Sequence, residues 1–212
     1  MATVRVAVDA GGADLGAAEV AAAAVLATTD PEIAVRLFGP EAELRAGLGG
    51  RSVERVEIVD APISIAKAPD PVAAVRSEQQ ASIVQAVRSV ADGQCAAFVS
   101  GGGTGAALAA GTLILKRAKG VYRPALAVAL PRPGGGRAVT LLDVGANTEV
   151  RPEHLVQFAF LGAALSRLVL GLERPTVGLL SNLVLPPSSP DHRTLPVLGS
   201  RQLRIFLPPS RT

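Results

Sequence analysis

Tryptophan is absent from this sequence, and five phenylalanines and one tyrosine are its only other large aromatic residues. Stacking platforms for nucleic acid are therefore scarce, and nucleic acid is not an expected partner. The single cysteine, Cys95, excludes an intramolecular disulfide framework and any cysteine zinc cluster, so no metal site is expected. A lone thiol fits a reducing compartment, which makes the cytoplasm the expected location. From Met1 to Asp9 the chain alternates apolar residues and shows no basic region followed by a long apolar run, so no signal peptide is read there. Long apolar runs are missing as well: Val20 to Ala27 lies between Glu19 and Asp30, too short for a membrane span. Membrane contact is then expected to be peripheral.

Acidic residues are lacking over one interval. The whole chain carries a formal charge of +3, yet no Asp or Glu stands between Asp92 and Asp143, where Lys116, Arg117, Lys119, Arg123, Arg132 and Arg137 all fall. Such an interval attracts a phosphate or an acidic protein, unless neighbours in space supply the missing acids.

What is present is an alternation of short β-branched runs with longer alanine-rich stretches, the pattern of a mostly parallel sheet covered by helices in an α/β fold. Strands are expected at Val4 to Val8, Ile33 to Phe38, Val53 to Val59, Cys95 to Val99, Ala125 to Leu130, Ala138 to Leu142 and Thr176 to Leu180. Helices are expected at Ala17 to Thr28, Pro40 to Leu48, Pro71 to Ala91, Gly105 to Arg117 and Pro152 to Leu170, three of them opened by proline. Pro131 to Gly136 is too short for a crossover helix and reads as a flexible hairpin or an arm. A domain is expected over 1–182, followed over 183–212 by an irregular tail with six prolines, four arginines and one acid.

The strongest chemical signal is Ser100-Gly101-Gly102-Gly103-Thr104-Gly105, a glycine turn between a strand and a helix. Without Cβ atoms such a turn brings several N–H groups to one point, and the Ser100 and Thr104 hydroxyls are expected to donate to the same anion, orthophosphate or sulfate. The bland alternative is a tight turn that only lets strand and helix pack closely. A dinucleotide site is disfavoured, because no acid follows before Asp143, and a Walker loop is excluded by the absence of Gly-Lys-Ser or Gly-Lys-Thr. No cofactor is expected.

Asp143 and Asn147, in Leu142-Asp143-Val144-Gly145-Ala146-Asn147, are expected at the carboxyl edge of the sheet, with Asn147 in a left-handed turn as the structural alternative. Asp9, followed by Gly11, Gly12 and Asp14, ends the first strand in the same way. Only His154 and His192 could serve as imidazole bases, and His154, in the first turn of a helix, reads more readily as a cap or packing residue. No nucleophile elbow is present, so a reaction in which bound phosphate is the nucleophile suits the sequence better than a covalent triad.

At these residues the chain resembles the phosphate acyltransferase (PlsX) family, the fatty acid and phospholipid synthesis proteins of bacteria. The resemblance rests on Val8-Asp9-Ala10, Val99-Ser100 with Thr104-Gly105-Ala106, Arg123-Pro124-Ala125-Leu126, Leu142 to Asn147, Pro152-Glu153-His154-Leu155-Val156-Gln157-Phe158-Ala159 and Val177-Gly178-Leu179-Leu180. It implies an α/β fold like that of isocitrate and isopropylmalate dehydrogenases, incomplete here at the C-terminus, and a homodimer. It also implies conversion of long-chain acyl carrier protein and orthophosphate to acyl phosphate, which passes to a glycerol-3-phosphate acyltransferase at the inner face of the membrane. In that reading Ser100 to Gly105 hold phosphate, Asp143, Asn147 and His154 stand at the reacting edge, and Asp9, Arg76 and Ser82 contact substrate. Lys116, Arg117, Lys119 and Arg123 then meet the acidic carrier protein.

The departures matter too. Gly103 stands where the family pattern has asparagine, and Glu78 and Gln79 stand near the place of a lysine pair. After Leu180 the pattern is lost, and the tail resembles out-of-frame translation of GC-rich coding sequence. Low activity is therefore expected, and a non-catalytic paralogue that keeps the phosphate turn is the competing reading. Nicotinamide-dependent dehydrogenase chemistry shares the fold but lacks an acidic ribose partner.

Overall fold

The computed structural model describes residues 3–49, 53–131, 134–136 and 138–179. The expected tail at 183–212, with His192, lies outside them, as do Leu180, Arg132 and Arg137. The chain divides into two compact units, Met1–Lys119 and Gly120–Thr212.

In the first unit four strands form one parallel sheet, β1 (Val4–Asp9), β2 (Ile33–Gly39), β3 (Val56–Asp60) and β4 (Ala97–Ser100), in the order β3-β2-β1-β4. Chain reversal between parallel neighbours needs crossovers, supplied by α1 (Ala17–Ala27), α2 (Glu41–Gly47), α3 (Pro71–Ser77) and α4 (Ser82–Ala91). After β4 come α5 (Thr104–Ala110) and a π-helical turn, Gly111–Leu115. Side chains alternate across the sheet. Val35, Leu37 and Val8 pack with Ala17, Ala21, Ala24 and Leu44 of α1 and α2. Ala7 and Phe38 point the other way, onto Ala86 of α4 and Cys95. The same alternation puts Asp9 on the α4 face.

The periodicity predicts one helix from Pro71 to Ala91, but the structure divides it. Asp70 caps α3 by accepting from the Val72 and Ala73 N–H groups at 3.0 Å each, and Pro71 occupies the first turn. At the other end the Gln79 amide donates to the carbonyls of Val75, at 2.9 Å, and Arg76, at 2.6 Å. Those carbonyls would otherwise lack partners, so the side chain ends the helix. Ala81 then bridges to Ile63, and the Ser82 N–H donates to the Ile63 carbonyl at 2.9 Å. This restart sets Ser82 as the first residue of α4. The expected helix at Gly105 to Arg117 is likewise shorter, because the π-helical turn ends before Lys116, which has a φ of 65°.

In the second unit β5 (Ala127–Leu130) and β6 (Val139–Leu142) pair antiparallel, the hairpin expected from the short connection. They are followed by α6 (Pro152–Leu170), which ends at Gly171 with a left-handed φ of 62°. Gly162 lets α6 approach β6, since a Cβ there would lie 2.7 Å from the Leu142 side chain. The Thr140 and Ser166 hydroxyls share a hydrogen bond of 2.9 Å beside it. Contrary to the expectation from apolar runs, the nineteen residues of α6 are long and apolar enough to cross a membrane by length and composition. His154, Gln157, Ser166 and Arg167 interrupt the run without removing its apolar character. The strand expected from Thr176 is absent among the described residues, for 176–179 have no strand partner.

Candidate functional site

In the first unit the chain leaves β1 toward β2 on one side and later returns to β4 on the other, so the carboxyl ends of β1 and β4 form the point where the strand order switches. Open α/β sheets bind ligands at such a point. Asp9 and Ser100 are the last residues of those two strands and face each other in register. The Ser100 hydroxyl donates to Asp9 Oδ2 at 2.7 Å, the Gly11 N–H donates to Asp9 Oδ1 at 3.0 Å, and the Gly102 N–H donates to Ser100 Oγ at 3.1 Å. Asp9 is only 2% exposed and Ser82 only 1%. Ser82 Oγ is buried with no partner of hydrogen-bonding geometry, although it lies near enough to Asp9 to favour the ionised carboxylate. A Cβ on Gly11 would collide with that oxygen and lie 3.1 Å from Asp9 Oδ1, so the missing side chain is what lets the two polar groups approach.

Burial pushes the Asp9 carboxyl above its ordinary 3.8, opposed by Ser82, Ser100 and the Gly11 N–H. A carboxyl raised in the folded state binds more protons there than in the unfolded chain, so its contribution to stability falls as pH rises from the unfolded value through the folded one. Asp9→Asn removes that dependence. Thermal melting of both proteins should therefore show the variant's advantage, relative to the wild type, largest near neutral pH and shrinking as pH falls toward 4. A difference that grows on acidification would mean that Asp9 is held in its charged form instead.

The glycine turn closes under a segment that carries no chemical motif of its own. A Cβ on Gly102 would lie 2.7 Å from the Gly11 carbonyl oxygen, and one on Gly103 would fall well inside contact with the Ala66 carbonyl oxygen and 3.0 Å from its carbon. Ala66 also stands against Gly12. The segment is fixed by Ile65, which is buried in the core formed by α3, α4 and α5. Gly101, Thr104 and Gly105 are exposed. Ser100 departs from the sequence expectation of a hydroxyl free to donate to an anion, because its proton is directed at Asp9. Arg76 is exposed on α3, while Lys116, Arg117 and Lys119 are exposed beyond the π-helical turn, roughly 18 Å of helix from the glycine turn.

Asp143 and Asn147 belong to the second unit. Asp143 follows β6 of the two-stranded sheet, so the expected place at the edge of the parallel sheet is corrected: the hairpin forms a ribbon of its own. Asp143, not Asn147, takes the left-handed backbone, with φ 62°. The Asn147 amide donates to Asp143 Oδ1 at 2.8 Å and to the Pro124 carbonyl at 2.9 Å, and Arg123 donates to Asn147 Oδ1 at 3.3 Å. Arg123 is thus engaged with the loop that follows β6. His154 acts as a cap: its Nδ1 accepts from the Arg151 N–H at 3.1 Å, and its ring meets Tyr122 edge to face with 6.4 Å between centroids.

A family model described as fatty acid synthesis protein matches residues 4–182. The chain belongs to that family. It is 42% identical over 180 residues to the phosphate acyltransferase of Pelotomaculum thermopropionicum, covering 84% of this chain and 52% of that protein. The phosphate acyltransferase of Levilactobacillus brevis is 42% identical over 183 residues, again with 84% and 52% covered. The chain spans about half the length of the curated relatives it matches. Among solved structures, the EutD phosphotransacetylase from Staphylococcus aureus is similar with a TM-score of 0.57 at 17% identity, covering 81% of this chain and 55% of that one. The likeness establishes a shared α/β fold.

Proposed function

We propose that this chain carries phosphate acyltransferase chemistry at a low rate, moving the acyl group of a long-chain acyl carrier protein thioester to orthophosphate. A phosphate oxygen adds to the thioester carbonyl carbon, the carbon–sulfur bond breaks, and the leaving thiolate takes the proton given up by phosphate. Acyl phosphate and free carrier protein result, with no cofactor needed. The observation that carries the reading is the junction of β1 and β4, where Asp9, Ser82 and Ser100 meet the glycine turn. It occurs in a chain 42% identical to proteins named phosphate acyltransferase. Positioning and charge stabilisation suffice for such a reaction, since the nucleophile is itself a substrate.

The reading places the protein in the cytoplasm as a homodimer, in peripheral contact with the inner face of the membrane. There its product is consumed by a glycerol-3-phosphate acyltransferase. The exposed apolar side chains of α6, among them Phe160, Leu161, Leu165 and Leu168, support such a contact. A non-catalytic phosphate-binding role is the second reading, favoured by Gly103 and Glu78, which offer no donor where the resemblance implies an asparagine and a lysine pair.

Carrier protein binding tests the proposed partner. Lys116, Arg117 and Lys119 are exposed cations in an interval without acids, so binding to an acidic carrier protein should weaken with salt. Reversing all three to Glu should lower the affinity measured by titration calorimetry at least about tenfold, as expected when attraction becomes like-charge repulsion. An unchanged affinity in the triple variant would place the contact elsewhere.

A further inference from the structure

The hydroxyl of Ser100 has a fixed polarity. Its proton points to Asp9 Oδ2 at 2.7 Å, and one of its lone pairs receives the Gly102 N–H at 3.1 Å. A serine hydroxyl has one proton and two acceptor positions, so what remains for a ligand is a single acceptor position. Asp9 cannot turn to release it, because the Gly11 N–H holds the other carboxylate oxygen at 3.0 Å in a buried setting. Inorganic phosphate carries at least one proton near neutral pH, whereas sulfate carries none. We infer that Asp9, acting through Ser100, makes the glycine turn selective for a protonated oxyanion, so that orthophosphate is admitted with a P–OH donating to Ser100 Oγ and sulfate is rejected. The inference rests on the phosphate reading of the turn and adds to it the origin of its specificity.

Two further observations point the same way. Asp9 faces only uncharged groups: Ser100 from β4, Ser82 from α4 and the Gly11 N–H from its own turn. Among the described residues no cation pairs with the carboxylate, so an unprotonated dianion beside Ser100 would meet both a lone pair and a nearby negative charge. Ser82 Oγ, buried in the same cluster, lies near enough to Asp9 to favour its ionised form, which keeps the carboxylate an acceptor toward Ser100. With Asp9 ionised, the protonated ligand oxygen is held at Ser100, which leaves the other phosphate oxygens unprotonated to act as nucleophile. Asp9 is a positioning residue in this scheme, acting on the ligand through the serine.

The polarity can be reversed by one atom. In Asp9→Asn the Gly11 N–H selects the amide oxygen for the Oδ1 position, which leaves the NH2 group facing Ser100. Ser100 Oγ then accepts from both the introduced amide and the Gly102 N–H, and its own proton is free to donate to an anion. Titration calorimetry of sodium phosphate and sodium sulfate into the whole chain at matched ionic strength near neutral pH reads the effect. Wild type should prefer phosphate at least about tenfold, the value of one hydrogen bond to a charged group, while Asp9→Asn should bind sulfate as well as phosphate. Wild-type sulfate binding should also rise on acidification as Asp9 protonates, which tests the inference without a variant. Equal wild-type affinities for the two anions near neutral pH would overturn the selectivity and leave the turn as an anion site. Binding of neither would remove the phosphate reading of the turn together with the inference.

Discussion

Acyl phosphate formation by the 212-residue chain should run at least about a hundredfold below that of a full-length phosphate acyltransferase from among its relatives, because a preorganised donor to developing negative charge is typically worth about 3 kcal/mol. The resemblance implies an asparagine at the place of Gly103 and a lysine pair near Glu78. The structure makes the first loss more than a missing donor. The Ala66 carbonyl oxygen occupies the space over Gly103, so an acceptor stands where the resemblance implies a donor. At the second place Glu78 is exposed at the end of α3, and Gln79 is turned inward to the Val75 and Arg76 carbonyls. An acid and a helix-terminating amide stand where the resemblance implies two cations, and developing charge on the thioester oxygen gains nothing from either. The assay uses long-chain acyl carrier protein and orthophosphate, with the relative run in parallel. A rate within tenfold of the relative's would show that other groups supply the stabilisation.

The strands were legible wherever apolar and β-branched residues alternate, as in Val4 to Val8 and Ile33 to Phe38, because a half-buried or buried strand imposes that composition. The break between α3 and α4 was not. Glu78, Gln79 and Gln80 are good helix formers, and the interruption comes from the Gln79 amide and from Ala81 pairing with Ile63, both tertiary choices. The candidate site follows the same division. Asp9 and Ser100 could each be read as a polar residue at a strand end, but their hydrogen bond depends on β4 lying beside β1, which no local pattern encodes. The direction of that bond then turned Ser100 from an expected donor into an acceptor. Asp143 was read by the same local rule and belongs to a separate ribbon, since an antiparallel hairpin and a parallel strand have similar sequences at their ends.

Restoring the asparagine should harm the protein. Gly103 is the N-cap of α5, with φ −66° and ψ 125°, a backbone that any residue can adopt. Asparagine at an N-cap is ordinarily favourable over an unsuitable residue by about 1 kcal/mol and over glycine by only a few tenths. Against that small gain stands a collision with the Ala66 backbone, whose carbonyl carbon would lie 3.0 Å from the new Cβ and its oxygen closer still. Backbone cannot step aside as a flexible side chain does. Ala66 is flanked by the buried Ile65, and the Ala68 N–H donates to the Ile65 carbonyl at 3.1 Å, so movement of the segment disturbs the core under α3 and α4. Overpacking of this kind costs about 1–3 kcal/mol, which exceeds the capping gain. Gly103→Asn should therefore lower the denaturation midpoint and leave acyl phosphate formation no faster. Gly101→Asn provides the control, because a Cβ there meets only the Ala13 Cβ at 3.5 Å and the residue is exposed. That variant should melt within about 0.5 kcal/mol of wild type, as surface changes usually do. If Gly103→Asn were as stable as Gly101→Asn and also faster than wild type, the Ala66 segment would have to be mobile, and the glycine would be a lost catalytic residue and not a structural requirement.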